Sequence, residues 1–141
     1  MSVLQYVYKG GVMMLLEIDM IGEVAIYKQI KDQIIVGIAK GQLKVGDPLP
    51  PVRKLAEQLG VNAMTVNKAY GLLRDFGVID IDRRHGAKIC AMNKTLDELQ
   101  HVDLLDLQVL LSELKLRGID SDTLMDTLET MVSTIYKGDE S

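Results

Sequence analysis

Isoleucines recur every fourth residue, at Ile26, Ile30, Ile34 and Ile38, which puts them on one stripe of an amphipathic helix predicted to end at Gly41. Prolines 48, 50 and 51 forbid a helical interior in the next stretch, because proline lacks a donor and pushes the preceding residue toward extended geometry. A second helix therefore starts near Pro51. Val52, Leu55, Ala56 and Leu59 form its inward side, and Gly60 supplies a left-handed stop. Asn62 has the position and chemistry of an N-cap. In the third helix Val66, Ala69, Tyr70 and Leu73 face inward, and Gly77 closes it. The opposite face, Ala63, Met64, Asn67, Lys68 and Gly71, reads as small or polar, with Thr65 at the exposed first turn. Residues 78–82 and 87–91 then alternate apolar and polar about Arg83-Arg84-His85-Gly86, a hairpin signal with glycine available for positive φ.

Helix, helix, tight turn, helix and hairpin in that order make a helix-turn-helix with a wing, whose expected substrate is double-stranded DNA. The third helix would enter a major groove about 12 Å wide. The expected fold class is mainly α with a small β-hairpin, followed by a helical appendage.

That appendage follows from the C-terminal pattern. Between residues 96 and 116 apolar side chains outnumber what one helix face can hold, so this helix needs two partners. Gly118 ends it, and Asp120-Ser121-Asp122 opens another with an acidic first turn suited to the helix dipole. Leu124, Met125, Leu128, Met131, Val132, Ile135 and Tyr136 form one stripe, with the two methionines expected in the core. Leu104, Leu107, Leu111 and Leu114 follow a 3-4-3 spacing suited to a seam between subunits, while the stripe from Leu124 to Ile135 covers the other side; Leu128 and Ile135 are counted with the dimer contact. A hairpin of this size is expected to be too small to enclose a ligand pocket of ~300 Å³, so a small-molecule effector is not supported.

The net charge of −4 changes meaning once it is divided. Residues 25–91 hold 11 Lys+Arg against 6 Asp+Glu, net +5; residues 92–141 hold 4 against 11, net −7; residues 1–24 hold 1 against 3, net −2. Affinity for nucleic acid follows the local field, so a basic domain joined to an acidic one remains a DNA-binding candidate. The single cysteine, Cys90, excludes an internal disulfide and fits a reducing cytoplasm. No run of 18 apolar residues suggests a membrane span. Gly-rich phosphate loops, G-x-S-x-G and H-E-x-x-H are absent, so enzyme activity is not expected and no cofactor is implied. His101 lies among Asp97, Asp103 and Asp106, but it has no i, i+4 histidine partner and reads as a surface residue rather than a metal ligand.

The runs IYKQIKDQIIVGIAKGQLKVGDPLPPVRKLAEQLGV and MTVNKAYGLLRDFGVIDIDRRHGAKI resemble the winged-helix domain of GntR-family bacterial transcription regulators. Gly46-Asp47 before Leu49-Pro50, Arg53 with Leu55-Ala56, Leu59-Gly60-Val61, Thr65-Val66 and Gly77 before the wing carry the resemblance as a set. The two-helix appendage is similar to that of the YtrA subfamily, where it mediates dimerisation. The resemblance implies a short strand at 15–19, a winged domain at 15–91 and a helical dimerisation region at 92–141, with residues 1–14 as an N-terminal extension and Met13 or Met14 as an alternative start. It also implies a cytoplasmic homodimer that represses transcription from a palindromic operator.

The candidate DNA contacts are Arg53, Asn62, Thr65, Asn67, Lys68, Arg83, Arg84, His85, Gly86 and Lys88. Arg53 and Thr65 match family residues that touch DNA, and His85-Gly86 matches a wing pair that reaches the minor groove. Lys28, Lys31, Lys40 and Lys44 are read either as a solvated face or as phosphate contacts. Two departures keep a second reading open, a winged-helix module that binds protein and has lost DNA: Ala63 and Asn67 stand where many members carry arginine, and Pro51 stands where serine is usual. If DNA is read, the Asn67 amide suits adenine and predicts an operator core rich in A·T.

Overall fold

The computed structural model describes residues 2–9, 12–92 and 101–137, with side chains placed over 15–92 and 104–137. Chain contacts divide it into two units between residues 92 and 93.

The first unit begins with an antiparallel hairpin of β1 (Ser2–Lys9) and β2 (Val12–Asp19), in which Ser2 lies opposite Asp19 and Lys9 opposite Val12. The strand expected at 15–19 is thus the end of a longer one, and the segment read as an extension supplies its partner. Leu16 and Ile18 of β2 face the core while Leu15 and Glu17 face out, the period-2 alternation of a half-buried strand. Helix α1 (Ile26–Ala39) lies beside it, with Ile30 and Ile34 buried. Gln29 and Gln33 of α1 fasten the two elements. Gln33 Oε1 accepts from Glu17 N at 2.8 Å and its Nε2 donates to Glu17 O at 2.6 Å; Gln29 repeats the pattern with Asp19 N and O at 2.8 and 2.9 Å. The match is geometric: four helical residues rise ~6 Å and two strand residues ~6.6 Å, so side-chain amides at i and i+4 meet the backbone of alternate strand residues. These amides pair backbone groups that an edge strand would leave open.

Helix α2 (Val52–Leu59) follows with Pro51 as an N-cap that makes no side-chain capping bond, and Gly60 ends it at φ +68°. Helix α3 (Ala63–Phe76) is capped by Asn62, whose side-chain oxygen accepts from Met64 N at 2.8 Å, and Gly77 closes it at φ +98°. Leu55, Ala56 and Leu59 from α2 join Val66, Ala69, Tyr70 and Leu73 from α3 in one core.

The wing is β3 (Ile79–Asp82) paired antiparallel with β4 (Gly86–Ile89), Asp82 opposite Gly86. It is anchored to the loop before α2: Gly46 N donates to Ile89 O, Leu49 N to Ala87 O and Ile89 N to Asp47 O, at 2.8, 2.8 and 2.9 Å. The alternation expected on β3 holds at Ile79, which is buried, and fails at Ile81, which is exposed although Ala87 opposite it is buried.

The second unit contains α4 (His101–Leu116) and α5 (Ser121–Tyr136). The helix start expected at residue 96 lies outside the described residues. Asp120 caps α5, accepting from Thr123 N at 2.9 Å and from its hydroxyl at 2.7 Å. Leu111, Leu114, Leu124, Leu128 and Ile135 are half-buried, and no α5 residue is fully buried. Met125 and Met131, expected in a core, are exposed, as are Val132 and Tyr136. Two helices alone cover only the strip along their line of contact. An apolar groove of about 410 Å³ runs between them, lined by Leu107, Leu110, Leu111, Leu124, Leu128 and Met131 among others. Its volume exceeds the ~300 Å³ that a hairpin of this size is expected to be too small to enclose.

Candidate nucleic-acid interface

The glycine at position 60 turns the chain sharply enough for α3 to pack against α2, and the Asn62 cap fixes where α3 starts. Tyr70 extends the joint: its hydroxyl donates to Pro50 O at 2.7 Å from a buried position. Burial pushes this phenol well above the usual tyrosine range, so it remains a protonated donor. The start of α2, where Arg53 stands, is therefore tied to the middle of α3.

None of the ten candidate contact residues is buried. Arg53, Asn62, Asn67, Lys68, Arg83, Arg84, His85 and Lys88 are exposed, and Thr65 and Gly86 are half-exposed. Arg53, Arg83 and Arg84 make no side-chain hydrogen bond or ion pair among the described residues. Asn62 spends its oxygen on the cap and retains its amide hydrogens. Lys68 behaves differently from a free cation: its Nζ sits 3.9 Å from the centroid of the Tyr27 ring on α1, a cation–π contact that restrains the ammonium beside α3. Lys28 and Lys31 converge on Asp32, which lies half-buried beside them.

The wing tip is ordered by a residue that the sequence reading did not single out. Asp82 Oδ1 accepts from Arg84 N at 2.8 Å, and Oδ2 pairs with His85 Nδ1 at 2.9 Å. The His85 bond first, then the Arg84 amide, hold the Asp82 carboxyl below its ordinary range. An Asp three residues before a turn histidine was the available signal. Met64 departs from the small or polar character expected of this face: a large apolar side chain, it is 78% exposed at the first turn of α3. No group of three or more His, Cys, Asp or Glu among the described residues is arranged to hold a metal ion. Among them, no helix is long and apolar enough to cross a membrane.

Residues 26–89 match the profile of the bacterial regulatory proteins, gntR family. The chain is also 32% identical over 108 residues to the HTH-type transcriptional regulator YhcF of Bacillus subtilis, covering 74% of this chain and 88% of that one. The chain belongs to the GntR family. It is a DNA-binding transcription regulator rather than an enzyme, with the winged helix-turn-helix at its centre. Two further similarities make this GntR regulator YtrA-like. It is 40% identical over 81 residues to the HTH-type transcriptional repressor YtrA of Bacillus subtilis, covering 57% of this chain and 62% of the relative. The structure of YtrA from Sulfolobus acidocaldarius, a GntR-family transcription factor, aligns with a TM-score of 0.55 at 41% identity, covering 68% of this chain and 97% of that one.

Proposed function

We propose that this GntR regulator is a cytoplasmic homodimer that represses transcription by occluding a palindromic operator. Each α3 enters one of two successive major grooves, and each wing lies along a flanking minor groove. Arg53, Arg83, Arg84 and Lys88 hold phosphates, Asn67 reads bases, and α4 and α5 form the dimer contact. The Bacillus subtilis relative YtrA is a transcriptional repressor.

The observation that carries the dimer is the surface of the second unit. Leu104, Leu107 and Leu110 on α4 and Met131 and Val132 on α5 are each about half exposed, flanking an apolar groove. Soluble monomers rarely leave a contiguous patch of this kind uncovered. A second copy supplies a covering surface of identical chemistry under two-fold symmetry. Its side chains, rather than a small-molecule effector, are the proposed occupants of the groove. A protein-binding wing without DNA is the weaker reading, because the exposed arginines of α2 and the wing have no use in it.

Selection of bound sequences from a random duplex pool tests the proposal. A palindrome should be recovered, and log K should fall by about 0.9 per phosphate neutralised for each unit of log salt. Recovery of asymmetric sequences, or an affinity that ignores salt, would refute it.

A further inference from the structure

A carboxylate can only accept hydrogen bonds, so the 2.9 Å contact between Asp82 Oδ2 and His85 Nδ1 requires the proton of a neutral imidazole to sit on Nδ1. The other ring nitrogen, Nε2, is then a bare acceptor. The histidine side chain is 77% exposed at the wing tip, and no described contact engages Nε2. The second Asp82 oxygen holds the Arg84 amide at 2.8 Å, so the carboxylate is fixed to the turn at the same time as it fixes the ring.

The two edges of the minor groove make this tautomer consequential. A·T pairs present only acceptors there, adenine N3 and thymine O2, whereas G·C pairs add the guanine 2-amino donor. A bare Nε2 can accept from guanine and is repelled by adenine N3. A protonated ring carries Nε2–H and does the opposite.

Building on the DNA-binding reading above, we propose that Asp82 is a positioning residue that sets the tautomer of His85, so that the neutral ring presents a bare Nε2 and the wing favours G·C over A·T in the minor groove. The charged groups around the pair are Arg83 and Arg84 in the turn, Lys88 on β4 with Asp80 opposite it on β3, and Lys44 and Asp47 in the loop that anchors β4. None of these replaces Asp82 at Nδ1. Both bonds favour the ionised carboxylate of Asp82, which can only accept, so Nδ1–H is held in place. Asp82→Asn provides the sharp variant: an amide NH2 facing Nδ1 stabilises the Nε2–H form, converting a neutral His85 into a donor.

The test uses the full-length protein and a duplex recovered by selection from a random pool. Hypoxanthine replaces guanine at the wing-flanking positions to delete the 2-amino group, or 2,6-diaminopurine replaces adenine to add it. The added amino group should strengthen wild-type binding roughly three- to tenfold, the size of one neutral hydrogen bond. Asp82→Asn should instead prefer the pair lacking the amino group, and His85→Ala should be indifferent. Long-range proton–nitrogen NMR of the free protein reads the tautomer directly, with Nδ1–H expected in the wild type and Nε2–H in Asp82→Asn. Wild-type binding that ignores the 2-amino group, or an Nε2–H tautomer in the free protein, overturns the proposal while leaving DNA binding intact. Failure to bind any duplex overturns the DNA reading itself.

Discussion

The Tyr70 hydroxyl donates to the Pro50 carbonyl at 2.7 Å, so α3 is hydrogen-bonded to the residue before the cap of α2. Pro50 belongs to a stretch with three prolines among residues 48–51, where its carbonyl has no helical partner of its own. The bond therefore fixes the distance between two helices that must meet one DNA duplex together.

Removing that donor with Tyr70→Phe keeps the ring and leaves the carbonyl buried without its partner. Urea denaturation should show a loss of about 1–3 kcal/mol. The wild type should also lose stability as pH rises above about 10, because the unfolded tyrosine ionises there while the folded one, with its raised pKa, resists. Below that range its contribution is fully present, and Tyr70→Phe should lack this alkaline component.

Gly60 holds φ +68° at the end of α2, and a Cβ added there would meet nothing within 4 Å. Gly60→Ala therefore tests the backbone alone. Left-handed geometry should cost it about 1–2 kcal/mol in thermal or chemical unfolding, with Gly60→Asn cheaper. A neutral outcome for alanine would mean that the turn relaxes to another conformation.

Asn67 and Arg84 should give opposite signatures in DNA binding. Asn67→Ala is expected to lose about 1–3 kcal/mol on the preferred operator and little on random duplex. Arg84→Ala should weaken all sequences alike and lower the salt slope by about one. Competition binding at several salt concentrations separates them. An unchanged operator preference in Asn67→Ala would shift base reading to Arg53, the wing or the exposed Met64.

Leu107 is 50% exposed and borders the apolar groove between α4 and α5, so Leu107→Asp places a carboxylate on the surface proposed as the dimer contact. Buried across a dimer contact, the carboxylate would cost several kcal/mol, roughly 2–7. Light scattering should find a monomer at concentrations where the wild type is a dimer, and operator affinity should fall with the loss of bivalency. A dimer that survives the substitution would place the contact elsewhere.

Local chemistry made most of the winged domain legible in the sequence. Proline and glycine punctuate the backbone whatever surrounds them, and Asn62 caps α3 through an oxygen two residues from its donor. The isoleucine period of α1 and the inward faces of α2 and α3 needed only some apolar partner, so they could be assigned before the partner was known. Tertiary structure alone decided the remaining relationships. Gln29 and Gln33 pair with a strand 10 to 16 residues away, Lys68 rests on Tyr27 across two helices, and the Tyr70 hydroxyl reaches a carbonyl 20 residues before it. Each depends on where a polar atom meets another in space, which hydrophobic periodicity does not encode. The same reason explains Met64, Ile81 and the stripe of α5: apolar spacing shows which side chains share a face, but only the packed structure shows whether anything covers it.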